Sequence, residues 1–329
     1  GDGTTLTGST ITFTNTVENA SSQTLAITGN AVFGNTVGAG TALTSLSVSG
    51  TSAINGGSVN TSGDQTYGGA VTLGANTSLT TTGSNIHLVS TIDSFDSNAR
   101  GLTLIAGTGN ISFGASVGAT NSLGAITVTS ANNVNFTGDV SAASFTQNAG
   151  TGTTFNGIQN YTGNFAFTGE NLIVNKSLTV GGTTIIANSG QFTTSNAGII
   201  VATGGFSQTG TGTNSIGANI TTDNNISFAS SIDLTQGIVF STGTGAGDIS
   251  FLEAINSQGG ERLLDLDAGT GSITFGSTVG SAAQPLSRLV LRESSQVSFN
   301  GAVRASDGVF VLAGAVNATW TSASSINFP

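Results

Sequence analysis

Along this chain short apolar residues alternate with serine, threonine or asparagine, and the alternation restarts after every glycine-rich break. "ITFTNTV" at 11–17, "AVFGNTV" at 31–37, "ISFGASV" at 111–117 and "VNFTGDV" at 134–140 share one pattern. It returns as "ISFASSI" at 226–232, "ISFLEAI" at 249–255, "ITFGSTV" at 273–279 and "VSFNGAV" at 297–303, with a degenerate "IHLVSTI" at 86–92. A period of two predicts strands with one buried face. The pattern places Phe13, Phe33, Phe113, Phe136, Phe228, Phe251, Phe275 and Phe299 on that face. Between strands stand "GTG", "AGTG", "TGTGAG" and "NSG", whose glycines and asparagines accept the positive φ of tight turns.

From Phe228 onward the phenylalanines recur at intervals of 23 and 24 residues, and Phe13 to Phe33 is an interval of 20. A longer echo joins "LIAGTGNISFGASVG" at 104–118 to "LDAGTGSITFGSTVG" at 266–280. A unit this short cannot bury its own apolar face, but it can bury that face on its neighbours. Stacking the units puts Phe over Phe and Val over Val, with each backbone paired to the coils before and after. The predicted fold is therefore all-β: one continuous parallel β-solenoid over 1–329, right-handed by the rule for parallel connections. About fifteen coils of 20–24 residues, at roughly 4.8 Å each, give a rod of about 70 Å, with Phe113 and Phe275 in equivalent core rows. Immunoglobulin-like sandwiches also consist of many short strands, but they need about 100 residues per unit. Trp320 is the chain's one tryptophan, so no tryptophan-centred core recurs. The glycine content and β-branched bias exclude a helical protein.

Composition alters this picture in three ways. Forty-nine glycines and only 7% charged residues would suggest disorder, yet 37% hydrophobic residues in regular spacing supply a core. A net charge of −10 disfavours nucleic acid and anionic membranes as partners. No apolar run is long enough to span a bilayer, and the opening "GDGTTLTGSTITF" has no signal-peptide pattern. With no methionine in the chain, and a last stretch, "SSINFP", that reads as the start of another repeat, the sequence is expected to be a segment or processed product of a longer protein. Low charge, absent cysteine and abundant threonine and asparagine point to an exported bacterial protein at the cell surface.

The stretches "GDQTYGGAVTLGANTSLTTTGSNI" at 63–86 and "TQNAGTGTTFNGIQNYTG" at 146–163, with the "GNISFGASVG" units, carry a resemblance. Across essentially its whole length the chain resembles the central β-helical region of filamentous-haemagglutinin-like large exoproteins. That resemblance implies export to the bacterial surface and a shaft role in adhesion or matrix building. One departure is the absence of the family's N-terminal Asn-Pro secretion signatures, since the two prolines, Pro285 and Pro329, lie elsewhere.

Candidate chemistry is sparse. Asp93 and Asp96 with Arg100 form one small charged group, read as solvated loop charges ahead of a metal or catalytic cluster. Asp265 and Asp267 share a strand face, as two calcium-ligating carboxylates could, although the run does not match the nonapeptide calcium repeat. Arg288 and Arg292 are expected beside them, making a salt-bridged outer face the favoured reading. Half of the charged residues fall between Asp248 and Asp307, so Glu261, Arg262, Arg288 and Arg292 mark the expected contact surface. His87 is the sole histidine, which rules out a histidine-based triad or zinc site, and its position predicts an outward side chain. Tyr67, Tyr161 and Trp320 could stack on sugars, but the two tyrosines read first as core-filling. Asn110 and Asn225 fit the glycosylation triplet and read better as turn asparagines. A threonine ladder suited to ordering ice-like water is not present on every coil.

No cofactor is expected. The leading functional expectation is a non-enzymatic rod for adhesion or matrix, whose partners are host or matrix glycans or proteins, or further copies of itself. A filament joined end to end through coil edges, and a polysaccharide-binding or -degrading β-helix, stand as alternatives.

Overall fold

The computed structural model describes residues 3–312 and the backbone of 317–318; Trp320, Pro329 and the "SSINFP" ending lie outside the described residues. The protein is all-β, without a helix among the described residues, and its parallel strands stack as a β-solenoid of about 15 turns with coils of about 21 residues. It divides into two compact units, Gly1–Thr162 and Gly163–Pro329.

In the first unit the strands Gln65–Tyr67, Ile86–Leu88, Ile111–Phe113, Asn133–Phe136 and Gly152–Phe155 lie side by side in parallel. Their register puts like on like: Ile86, Ile111 and Val134 form one buried row. The next inward row runs Ile27, Val48, Tyr67, Leu88, Phe113, Phe136, Phe155. The rings of Phe113 and Phe136 are stacked at 4.3 Å and 8°, and those of Phe136 and Phe155 at 5.0 Å. The aliphatic residue four places beyond each Phe makes its own row, through Val17, Val37 and Val59 and through Ile92, Val117 and Val140.

The second unit repeats the scheme. Strands Ile226–Phe228, Ile249–Phe251, Ser272–Phe275 and Gln296–Phe299 pair so that Phe228, Phe251, Phe275 and Phe299 follow one another. Successive ring centroids lie 6.0, 5.5 and 4.7 Å apart, and all four side chains are buried. Ile255, Val279 and Val303 form the accompanying aliphatic row.

The eight phenylalanines do not make one stack. Phe13 and Phe33 stack at 5.5 Å, but their row continues through Ile54, Leu73 and Ser94, apart from the row of Phe113. Phe13 is only half-buried, whereas Phe33 is fully enclosed. The physical reason is that each coil presents several inward rows. The seven-residue pattern specifies an inward ring and an aliphatic row around a corner, which does not distinguish among them.

Glycine has a steric role where coils touch. A Cβ on Gly29, at φ +132°, would collide with the Gly8 carbonyl, and one on Gly212 would collide with that of Gly190. Polar residues also enter the core. Tyr67 donates its phenol hydrogen to Gln65 Oε1 at 3.0 Å, and Tyr161 donates to Gln159 Oε1 at 2.9 Å. Gln65 Nε2 in turn donates to the carbonyls of Val59 at 3.0 Å and Thr80 at 2.8 Å, so its amide is satisfied without water.

Candidate interaction surface

At the entry to many strands an asparagine or aspartate projects along the stack and accepts a backbone N–H from the following coil. Asp64 Oδ1 takes the N–H of Asn85 at 2.8 Å, Asn85 Oδ1 that of Asn110 at 2.9 Å, and Asn110 Oδ1 that of Asn133 at 3.2 Å. In the second unit Asn225 holds the Asp248 N–H at 2.9 Å and Asp248 holds that of Ser272 at 2.7 Å. Asn110 and Asn225 therefore act in corners, each tying its own coil to the next.

The same use absorbs much of the acidity. Glu18 accepts the N–H groups of Gly40 and Thr41 at 3.0 and 2.8 Å, and hydrogen bonds from Thr41 first and Gly40 second hold its carboxyl below the usual range. Asp139 accepts from Ile158 at 2.8 Å. Asp93 accepts from Thr120 and Asn121, while Asp96 caps the Asn98 N–H and pairs with Arg100 at 3.3 Å. Arg100 reaches the carbonyl of Gly74 in an earlier coil. Asp93 and Asp96 thus serve separate bonds, and Phe95 between them is two-thirds exposed.

The charged region of the second unit is also internally paired. Arg292 grips Asp265 with two parallel bonds, Nε to Oδ1 at 2.7 Å and Nη2 to Oδ2 at 2.6 Å. Asp265 is 4% exposed on a strand flanked by Val239 and Val290, and the hydrogen bonds Arg292 donates to its carboxylate raise the guanidinium above its ordinary value. Both carboxylate oxygens are taken by Arg292, and Asp267 turns to the Gly269 N–H at 3.3 Å, so the two acids do not face a shared cation site. Arg288 lies over the Phe310 ring at 4.6 Å, Arg262 folds onto the carbonyls of Gln258 and Gly259, and Glu261 accepts from Ser306 Oγ at 2.8 Å.

His87 faces outward beside Thr66 and Ser112, with Nδ1 2.9 Å from Ser112 Oγ. Tyr67 and Tyr161 are enclosed, so neither offers a ring to a sugar, and burial pushes both phenols up. Among the described residues no three His, Cys, Asp or Glu side chains gather where they could hold a metal ion. A depression of about 530 Å³ lined by Thr183, Ile185, Gly205, Ser207, Asn224 and Ser227 contains no acid or base. Another of about 330 Å³, near Pro285, contains Glu261 as its one charged residue. Outward from Ser207 the register continues through Ser227, Ser250, Thr274 and Ser298, an uncharged hydroxyl row.

No helix among the described residues is long and apolar enough to cross a membrane. Comparison with family models, curated proteins and solved structures returned no match.

Two features escape sequence reading. The Gln-x-Tyr pairs read as strand residues with an ordinary polar neighbour. The corner acceptors are signalled only by an Asn or Asp just before a strand, recurring with the coil period at Asp64, Asn85 and Asn110.

Proposed function

We propose that this protein is a non-catalytic structural component outside a bacterial cell, a stiff β-solenoid scaffold that presents uncharged faces to glycans or proteins of a matrix or cell surface. One observation carries the reading: the carboxylates of Glu18, Asp64, Asp93, Asp139, Asp248 and Asp265 are engaged in holding the fold together. A hydrolase or lyase of polysaccharides needs acids and bases free to face a substrate. Here those six carboxylates are bound to backbone N–H groups or to an arginine. The faces between corners carry serine, threonine and asparagine, suited to many weak hydrogen bonds across an extended partner.

The test is to immobilise the protein and expose it to neutral and acidic polysaccharides and to matrix proteins, following retention and product release together. Retention without new reducing or unsaturated ends is expected. Sugar fragments accumulating in proportion to the protein would overturn the non-catalytic part, and failure to retain any of these partners would overturn the adhesive part.

A further inference from the structure

The corner bonds have a direction. Main-chain bonds between coils run both ways: the Ile86 N–H donates forward to Asn110 O, and the Gly114 N–H donates back to Leu88 O. The bonds in which a side chain accepts a backbone N–H do not share this balance. At Asn30, Asp64, Asn76, Asp139, Asn164 and Asn219 the accepting oxygen belongs to the earlier coil and the N–H to the later one. Asn85, Asn110, Asn225 and Asp248 follow the same rule. Two serine hydroxyls, Ser49 and Ser130, run the other way, accepting from Gly29 and Gly107.

The two partners in such a bond are not equivalent. The acceptor is the tip of a side chain, which water can solvate at little conformational cost when the next coil is absent. The donor is a backbone N–H at a turn, so losing its acceptor frees the φ and ψ of that turn and loosens the strand that follows. At these corners the strand entry is thus fixed by the coil before it, and where corners follow one another, as at Asp64, Asn85 and Asn110, each coil also fixes the one after it.

We propose that order in each unit propagates from the N-terminal toward the C-terminal side, each coil acting as template for its successor through its Asn and Asp side chains. A defect at one corner spreads toward the C-terminus and stops on the N-terminal side. The device suits a chain that must order coil by coil as its successive segments become free.

The row Asp64, Asn85, Asn110, Asn133 tests this in the full chain with residue-resolved hydrogen exchange. Asn85→Ala removes one acceptor and leaves two informative bonds untouched: the position-85 N–H on Asp64 and the Asn133 N–H on Asn110. Protection at Asn133 is expected to fall by roughly tenfold while position 85 stays within about twofold of the parent. Asn85→Asp, which keeps the acceptor, is expected to reproduce the parent pattern. Asn85→Ser supplies the reading if the alanine chain does not fold. Asp248→Ala repeats the comparison in the second unit, between the position-248 N–H on Asn225 and the Ser295 N–H on Gly271. Equal losses on both sides, a larger loss on the N-terminal side, or no loss beyond the deleted bond would each overturn the proposal.

Discussion

Arg292 and Asp265 show how a single pair decides the character of a surface. Asp265 is almost wholly enclosed, so removing Arg292 strands a carboxylate beside Val239 and Val290. Arg292→Ala is expected to lower the melting temperature, and adding Asp265→Asn to it should recover part of the loss. If the double variant melts below the single one, the pairing account fails. Tyr67→Phe deletes one buried bond to Gln65 and is expected to destabilise by about 1–2 kcal/mol in urea unfolding.

Two acids respond to pH in opposite senses. The carboxyl of Glu18 is lowered by the backbone N–H groups of Thr41 and Gly40, so its contribution is present above the unfolded-state value and is lost as pH falls through the folded one. Asp233 is raised by desolvation, so its folded form favours the proton, and stability declines as pH rises from the unfolded value to the folded one. Glu18→Gln should therefore flatten the acid limb of a stability profile, whereas Asp233→Asn should raise stability at neutral pH. A profile unchanged by both substitutions would contradict these assignments.

At the scale of the strand and its corner, fit is steric first. Gly212→Ala would drive a Cβ into the Gly190 carbonyl of the preceding coil, and is expected to cost about 1–3 kcal/mol or more through local displacement. Unaltered urea unfolding of that variant would show that the coils have slack the structure does not display. Strands such as Ile111–Phe113 and Ser272–Phe275 were legible in the sequence because apolar and polar residues alternating with period two fit a half-buried strand and do not fit a helix. The row each Phe joins was not, since Phe13 and Phe113 carry the same local pattern on different rows. Gln65 and Gln159 were missed because an amide usually marks an exposed position, whereas here a tyrosine two residues on takes the amide oxygen and main-chain carbonyls take the amide nitrogen. The interaction of Arg292 with Asp265 was foreseeable, since a coil's length separates them. The corner bonds were obscured because the interval from acceptor to donor varies with each coil, from Asp139 to Ile158 and from Asn85 to Asn110.

For the whole molecule, the account is of repeated coils, each held chiefly by its neighbours through stacked rings, aliphatic rows and corner side chains. Such an array behaves as a sum of coil stabilities and nearest-neighbour terms, unlike a globular domain that opens as a whole. Such an array should therefore yield in small steps. The most direct measurement is to hold the full chain by its two ends in an optical trap and extend it at constant speed. A series of releases is expected, each adding roughly 70–75 Å of contour, the extended length of one coil of about 21 residues. Release of a whole unit in one event, without coil-sized increments, would contradict it.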